Sequence, residues 1–350
     1  RLRTNPDRCS PHQPIASVST YAIGVDLGGT TIKVGLVEKD TGILRQATTD
    51  TEAALGPEAV VARIAETVTR IHDHLPASAT LAGVGIGAPG VISWDRTTIT
   101  KPPNFPGWDR INLCEALLEL VEPLSADCPI IVENDANVAG LGSAFYGAGR
   151  PFDSFIMVTL GTGVGGAIIY ENRIFRGATG GAGEFGHMTI DYEGPYARSG
   201  VAGAIEAYLG HHFLSRHARY QLLQRTTRLH DMTGADLHDL TPVKLHSAAV
   251  GGDPAATELL AWAGHKLGVA LGSAINLLDI RKVVVGGGVS AAGDYILNPA
   301  RAAMRRYVMP GLTDDLELVR ETLGNEAAIL GAARLAFEQA ETNSRHVLER

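Results

Sequence analysis

Three cysteines in 350 residues, Cys9, Cys114 and Cys128, stand far apart, with no Cys-x-x-Cys pair among them. Neither a disulfide framework nor a thiolate zinc site can be read from them, and a reducing cytoplasm is the expected compartment. Positive charge is short as well: 30 Lys and Arg against 38 Asp and Glu leave a formal charge of −8, which gives no support to binding nucleic acid or an anionic membrane surface. No unbroken apolar run reaches the about 18 residues that a membrane span needs. The stretch from Arg1 to Thr20 lacks the apolar centre of a signal peptide and, with Pro6, Pro11 and Pro14, is expected to be a disordered extension.

What is present is an ordinary globular balance, 45% hydrophobic and 19% charged, in a chain too long for one core, so two domains are expected. The stretch Pro129 to Gly140 organises the rest. Its apolar run Ile130 to Val132 ends at Glu133-Asn134-Asp135 and passes into the helical spacing Ala136, Val138, Ala139, Leu141, Ala144. A strand thus delivers polar groups to its carboxyl end, where open α/β sheets bind ligands. With Asn134 as cap, Asp135 falls in the first helical turn, where the helix dipole favours the ionised carboxylate that a proton acceptor needs. Taken alone, the same residues read as a plain helix cap, and it is their place between two glycine-rich hairpins that favours the functional reading.

Two similar glycine hairpins flank this stretch. The first joins the strand patterns Tyr21 to Leu27 and Ile32 to Glu38 through Gly28-Gly29-Thr30-Thr31, with Asp26 before the turn and Lys33 after it. Glycines let the backbone approach an anion, threonine hydroxyls donate to phosphate oxygens, and a carboxylate such as Asp26 holds Mg²⁺ directly or through water. The second joins Ser154 to Leu160 and Val164 to Tyr170 through Gly161-Thr162-Gly163. Further on, Lys282 to Val285 runs into Gly286-Gly287-Gly288, which lacks the full Gly-x-Gly-x-x-Gly spacing of a dinucleotide site, and then into a helical pattern from Tyr295 to Tyr307. Two hairpins and a third glycine-rich strand end suit the two sides of one nucleotide. Between them lie an amphipathic helix from Pro57 to Leu75, a buried strand Leu81 to Ile86, and a proline-rich loop Lys101 to Trp108, expected to be ordered, whose Asn104 is placed to bond a polar ligand.

Taken together, Asp26-Leu-Gly-Gly-Thr-Thr-Ile-Lys33, Glu133-Asn-Asp-Ala-Asn137, Leu160-Gly-Thr-Gly-Val-Gly-Gly166, Gly183-Glu-Phe-Gly-His187 and Val285-Gly-Gly-Gly-Val-Ser290 resemble the ROK family of bacterial glucokinases, related sugar kinases and repressors. The resemblance implies an α/β fold, the duplicated actin-like and ribonuclease-H-like one, with the active-site cleft between two domains: a small one of 21–134 plus 325–350 and a large one of 135–324. It implies that the turns Gly28 to Thr31 and Gly161 to Gly163 hold ATP phosphates, that Asp26 positions Mg²⁺, and that Gly286 to Gly288 lie against the nucleoside. Asp135 would be the general base. Asn104, Asn134, Glu184, His187 and Glu206 would join it in reading sugar hydroxyls, a task that suits carboxylate, amide and imidazole groups. A homodimer is also implied.

The chain departs from the family at one place. Many members follow the Gly-His pair with a Cys-x-Cys and a further Cys that bind a structural zinc with the His; here Ala197, Ser199 and Ala204 occupy those positions. His187 alone cannot close a tetrahedral site, so no zinc is expected, and the loop is expected to be ordered by packing around Tyr192, Tyr196 and Val201. His211, His212 and His217 are read as surface or packing residues of a following helix.

The activity expected is Mg-ATP-dependent phosphorylation of an aldohexose 6-hydroxyl, with glucose first and an N-acetylhexosamine or fructose as alternatives within the family. A family repressor would need a DNA-binding segment ahead of Tyr21, and the residues up to Thr20 are too short and proline-rich to be one. An actin-like or chaperone-like ATPase would have no use for the hexose-hydroxyl cluster Asn134, Asp135, Glu184, His187 and Glu206.

Overall fold

The computed structural model describes residues 19–121, 124 and 128–348. The expected extension, Cys9 included, falls outside them as far as residue 18. Its limit at residue 20 is corrected: Thr20 already opens the first strand.

The first half of the chain builds one five-stranded sheet. Strand β1 (Thr20–Leu27) turns back through Gly28 to Thr30 into β2 (Thr31–Glu38), and a second hairpin adds β3 (Gly42–Asp50) at the edge. Helix α1 (Pro57–His72) then crosses over to β4 (Thr80–Ala88), parallel to β1. A separate three-stranded sheet of β5 (Val91–Ile92), β6 (Thr98–Thr100) and β7 (Arg110–Asn112) precedes α2 (Leu113–Leu118). The main sheet closes with β8 (Ile130–Asn134), parallel to β4, which leads directly into α3 (Asp135–Tyr146).

The second half repeats the plan. Strands β9 (Phe155–Leu160) and β10 (Val164–Tyr170) form the matching hairpin, with β11 (Arg173–Ile174) at the edge. A helical region follows, made of α4 (Glu206–Leu209), α5 (His211–Leu222), α6 (Leu229–Thr233), α7 (Pro242–Val250) and the long α8 (Pro254–Leu278), which Asp253 caps by accepting from the Ala255 and Ala256 amides. Then come β12 (Lys282–Gly286), parallel to β9; α9 (Asp294–Tyr307); β13 (Glu317–Arg320), parallel to β12; and α10 (Glu326–Leu348). The strand orders β3-β2-β1-β4-β8 and β11-β10-β9-β12-β13 are the same order with the same directions, so the duplication read from the glycine hairpins is real.

Residue size sets how the layers pack. On β1 the large side chains Ile23, Val25 and Leu27 meet α1, whereas Ala22 and Gly24 face α10. Small residues on that face let α10 lie almost on the backbone of β1 and β4: a Cβ on Gly24 or Gly85 would overlap the carbonyl oxygens of Ile329 or Ala332. Helix α10 also packs along α3, where Val138 and Leu141 share a buried cluster with Ile329, Leu330 and Phe337. No helix among the described residues is long and apolar enough to cross a membrane.

Candidate active site

Strand register gathers the polar residues. Lys33, Asp26, Gly87 and Glu133 are successive neighbours across β2, β1, β4 and β8, so the carboxyl ends of β1, β4 and β8 meet where α3 begins. Gly87 makes the meeting possible, because a Cβ there would overlap the Val138 side chain and stand 3.6 Å from the Asp135 Cα.

Asn134 caps α3 as expected, its Oδ1 accepting from the amides of Ala136 (2.9 Å) and Asn137 (3.3 Å). Its Nδ2 donates to the Gly90 carbonyl at 3.4 Å, which leaves one amide hydrogen for a ligand. Asp135 is half-buried, and its Oδ1 accepts from the Ala136 amide at 2.8 Å, while Oδ2 makes no bond among the described residues. Burial pushes its pKa from 3.8 up to about 6, with the Ala136 amide opposing and the charges of Asp26 and Glu184 adding to the rise. That both carboxylates act on Asp135 places the three groups in one electrostatic site.

Asp26 is also raised, again mainly by burial, with Lys33 opposing. Lys33, expected at the phosphates, has its Nζ 3.3 Å from Asp26 Oδ2. In the first turn the Gly28 amide donates to the Thr31 carbonyl, and in the second the Gly161 amide donates to the Gly163 carbonyl, so both of these hydrogens are engaged in shaping the turns. The hydroxyls of Thr30, Thr31 and Thr162 make no bond among the described residues. Gly287, at φ +82°, lies against the Leu160 backbone at the foot of the second hairpin, where only a residue without Cβ fits, and Gly288 opens on free space. Gly286 ends β12, in register with Thr159 of β9.

Asn104 is exposed in a left-handed conformation (φ +67°), its Cβ 3.7 Å from where a Cβ of Gly29 would stand, so its loop abuts the first turn. The loop is ordered, as expected, by the buried edge-to-face pair Phe105 and Trp108, 5.3 Å apart. Glu184 and His187 flank a single 3₁₀ turn and contact each other at 3.2 Å between Oε2 and Nδ1. Glu206 starts α4 and accepts from the Val164 amide at 3.2 Å. Its carboxylate occupies the space that a Gly163 side chain would need, so this sugar-contact candidate rests directly on the second glycine turn.

One expectation is corrected. Tyr192 and Tyr196 do not order the loop after His187; they are 84% and 70% exposed. The loop is held by its backbone, through bridges Thr189 to Ala204 and Tyr196 to Ala202, by small buried residues, Ala197 and Ala204, and, as expected, by Val201 packed against the same core. Tyr208, buried behind it, reaches Asp191 Oδ2 at 3.2 Å. Of the three histidines on α5, His217 stacks on Trp262, with ring centroids 4.0 Å apart.

Sequence reasoning gave no role to Glu133, Arg96 or Arg176. Glu133 is fully buried, and its Oε2 lies 3.0 Å from Arg96 Nε and 2.8 Å from Arg176 Nε. A charged residue ending an apolar strand was the available signal, since a buried carboxylate requires partners. Nothing in the sequence pointed to which arginines would supply them.

Residues 22–339 match the model of the ROK family. A glucokinase from Thermotoga maritima is 34% identical over 317 residues, 91% of this chain and 97% of its own length. One from Streptomyces coelicolor is 35% identical over 328 residues, with coverage of 90% and 97%. The crystal structure of a ROK family glucokinase from Streptomyces griseus in complex with glucose and AMPPNP is 32% identical, with a TM-score of 0.77, and covers 91% of this chain and 99% of that one. The two equivalent sheets are thus those of the duplicated actin-like fold, and with the family match running almost from the first described strand to the last helix, the chain belongs to the ROK family.

Proposed function

We propose that the chain transfers the γ-phosphoryl group of ATP to the 6-hydroxyl of an aldohexose, with glucose as the first substrate. The observation that carries this is Asp135: a carboxylate at the head of α3, with Oδ2 unbonded among the described residues, its pKa raised to about 6 by burial and by the charges of Asp26 and Glu184. A base of that strength is mostly ionised at neutral pH, yet still takes a proton readily.

In the step itself the sugar hydroxyl oxygen bonds to the γ-phosphorus as the bond from that phosphorus to the bridging oxygen breaks. ADP leaves, and the hydroxyl proton passes to Asp135 Oδ2. Phosphoryl transfer asks the protein mainly for position and charge balance. Thr30, Thr31 and Thr162 would donate to phosphate oxygens, Gly286 to Gly288 would lie against the nucleoside, and Asn104, Asn134, Glu184, His187 and Glu206 would hold sugar hydroxyls. Asp26 with the threonine hydroxyls is the sparse, hard-oxygen donor set that a magnesium ion arriving with a nucleotide takes, and the ion would neutralise phosphate charge there. The lobe of 21–134 with 325–350 and the lobe of 135–324 would close on the sugar and exclude water as a rival acceptor. The proposal includes a cytoplasmic homodimer and no structural zinc. Stoichiometric zinc in purified protein would overturn the last of these.

The test is a coupled assay of ADP release with Mg-ATP against glucose, mannose, fructose, N-acetylglucosamine and N-acetylmannosamine. Turnover led by glucose is expected. Turnover led by another sugar makes the chain an N-acetylhexosamine kinase or fructokinase of the same mechanism. ATP hydrolysis indifferent to every sugar refutes the assignment.

A further inference from the structure

We propose that Glu133 and Arg176 form a lock that fastens the loop bearing Glu184 and His187 to the strand end bearing Asn134 and Asp135, so that the sugar-reading groups and the base are positioned as one unit. The inference rests on the kinase reading above and adds a positioning role for residues that do not themselves touch the reacting atoms.

Glu133 is the hub. Its Oε1 accepts from the Asn134 amide at 2.9 Å and from Asn137 Nδ2 at 3.1 Å, which ties it to the residue before Asp135 and to the first turn of α3. Its Oε2 meets Arg96 at 3.0 Å and Arg176 at 2.8 Å. Arg96 belongs to the same half of the chain as Glu133, on the turn between β5 and β6, and its carbonyl accepts from the Val132 amide at 2.8 Å. Arg176 comes from the other half, just beyond β11.

Arg176 reaches across with its whole guanidinium. Nη1 donates to the Trp94 carbonyl at 2.7 Å and Nη2 to the Ser93 carbonyl at 2.9 Å, and the group stands 5.1 Å from the centre of the Trp94 ring. On its own side the Arg176 carbonyl accepts from the amides of Gly180 (3.1 Å) and Ala182 (3.2 Å), so the segment leading to Glu184 is folded upon it. Gly180 closes the contact from the other direction: at φ +98°, a Cβ there would stand 2.9 Å from the Ile92 carbonyl oxygen.

The energetics favour a positioning role over plain stability. Buried ion pairs are often no more stabilising than apolar residues of the same volume, whereas they fix geometry through directed hydrogen bonds. Only the planar fork of arginine gives directed bonds to the Trp94 and Ser93 carbonyls while its charge faces the Glu133 carboxylate in an ion pair. Lysine keeps the charge and loses the fork.

The experiment compares wild type with Arg176→Lys and with Trp94→Ala, a change at an exposed ring that leaves its carbonyl in place. Sugar and ATP kinetics are measured together with amide hydrogen exchange of the unliganded protein. Arg176→Lys is expected to raise the sugar KM about tenfold, the equivalent of one lost charge-assisted hydrogen bond, with the ATP KM within about twofold of wild type. Residues 177–187 are expected to exchange faster while α8 and α9 do not. Trp94→Ala is expected to move the same two readouts by a smaller factor, and it carries the test if the lysine variant fails to fold. An unchanged sugar KM, sugar and ATP KM rising together, or unchanged exchange in 177–187 overturns the lock. A wild type that phosphorylates no sugar overturns the kinase reading instead, and the exchange comparison then judges the lock by itself.

Discussion

The acid side of the pH profile is where the reasoning about Asp135 is most exposed. Its pKa is raised from 3.8 to about 6, so the ionised form is about 3 kcal/mol less favoured in its site than in water. Protonation removes the acceptor for the hydroxyl proton, so kcat/KM for the sugar must fall as pH drops through 6, not through 4. At pH 5 a base of pKa 6 is about one-tenth ionised, whereas an unshifted one would be more than nine-tenths ionised. The assay is initial-rate kinetics from pH 4.5 to 8 at saturating Mg-ATP, with circular dichroism at each pH to confirm the fold. ATP itself titrates in this range, and Glu184→Gln separates the two sources. Removing a negative neighbour lowers the Asp135 pKa and moves its limb to more acid pH, whereas a limb belonging to the nucleotide stays in place. A profile flat to pH 5, or a limb that Glu184→Gln leaves unmoved, refutes the assignment of the limb to Asp135.

Asp135→Ala is expected to retain sugar and ATP binding, measured by calorimetry, while turnover falls about a thousandfold, within the usual range for loss of a general base. Gly163→Ala puts a methyl group where the Glu206 carboxylate sits; that side chain can swing away, so the fold should survive, with the Tm near wild type and the sugar KM raised. Gly85→Ala is the contrasting case, because the added Cβ meets the Ala332 backbone of α10, which cannot yield. About 1–3 kcal/mol of lost stability is expected from urea unfolding.

Much of this architecture was legible because its signals are local. Glycine turns between alternating apolar runs mark hairpins wherever they fold, and Asn134 next to Asp135 marks a helix start by hydrogen bonding over two or three residues. Elements without such punctuation escaped. Strand β3 is polar and largely exposed, as an edge strand allows, and α8 is apolar around so much of its surface that no single face stands out. The loop after His187 was misread in part. The absence of cysteine ligands is a matter of residue identity, but Tyr192 and Tyr196 were expected inside for their size alone, and burial depends on where the backbone bridges point them.

The sequence by itself therefore determined the two hairpins, the strand that delivers Asp135 and the types of group available to a sugar and a nucleotide. Tertiary structure decided the rest. Burial and the nearby charges of Asp26 and Glu184 give Asp135 its raised pKa, and those groups come from three separate elements. Arg176 meets Glu133 across 43 positions of chain, as their numbers show, in a contact that no local pattern encodes. Hydrogen bonds to the next few residues can be read along a chain, whereas desolvation and long-range charge exist only once distant segments have been packed together.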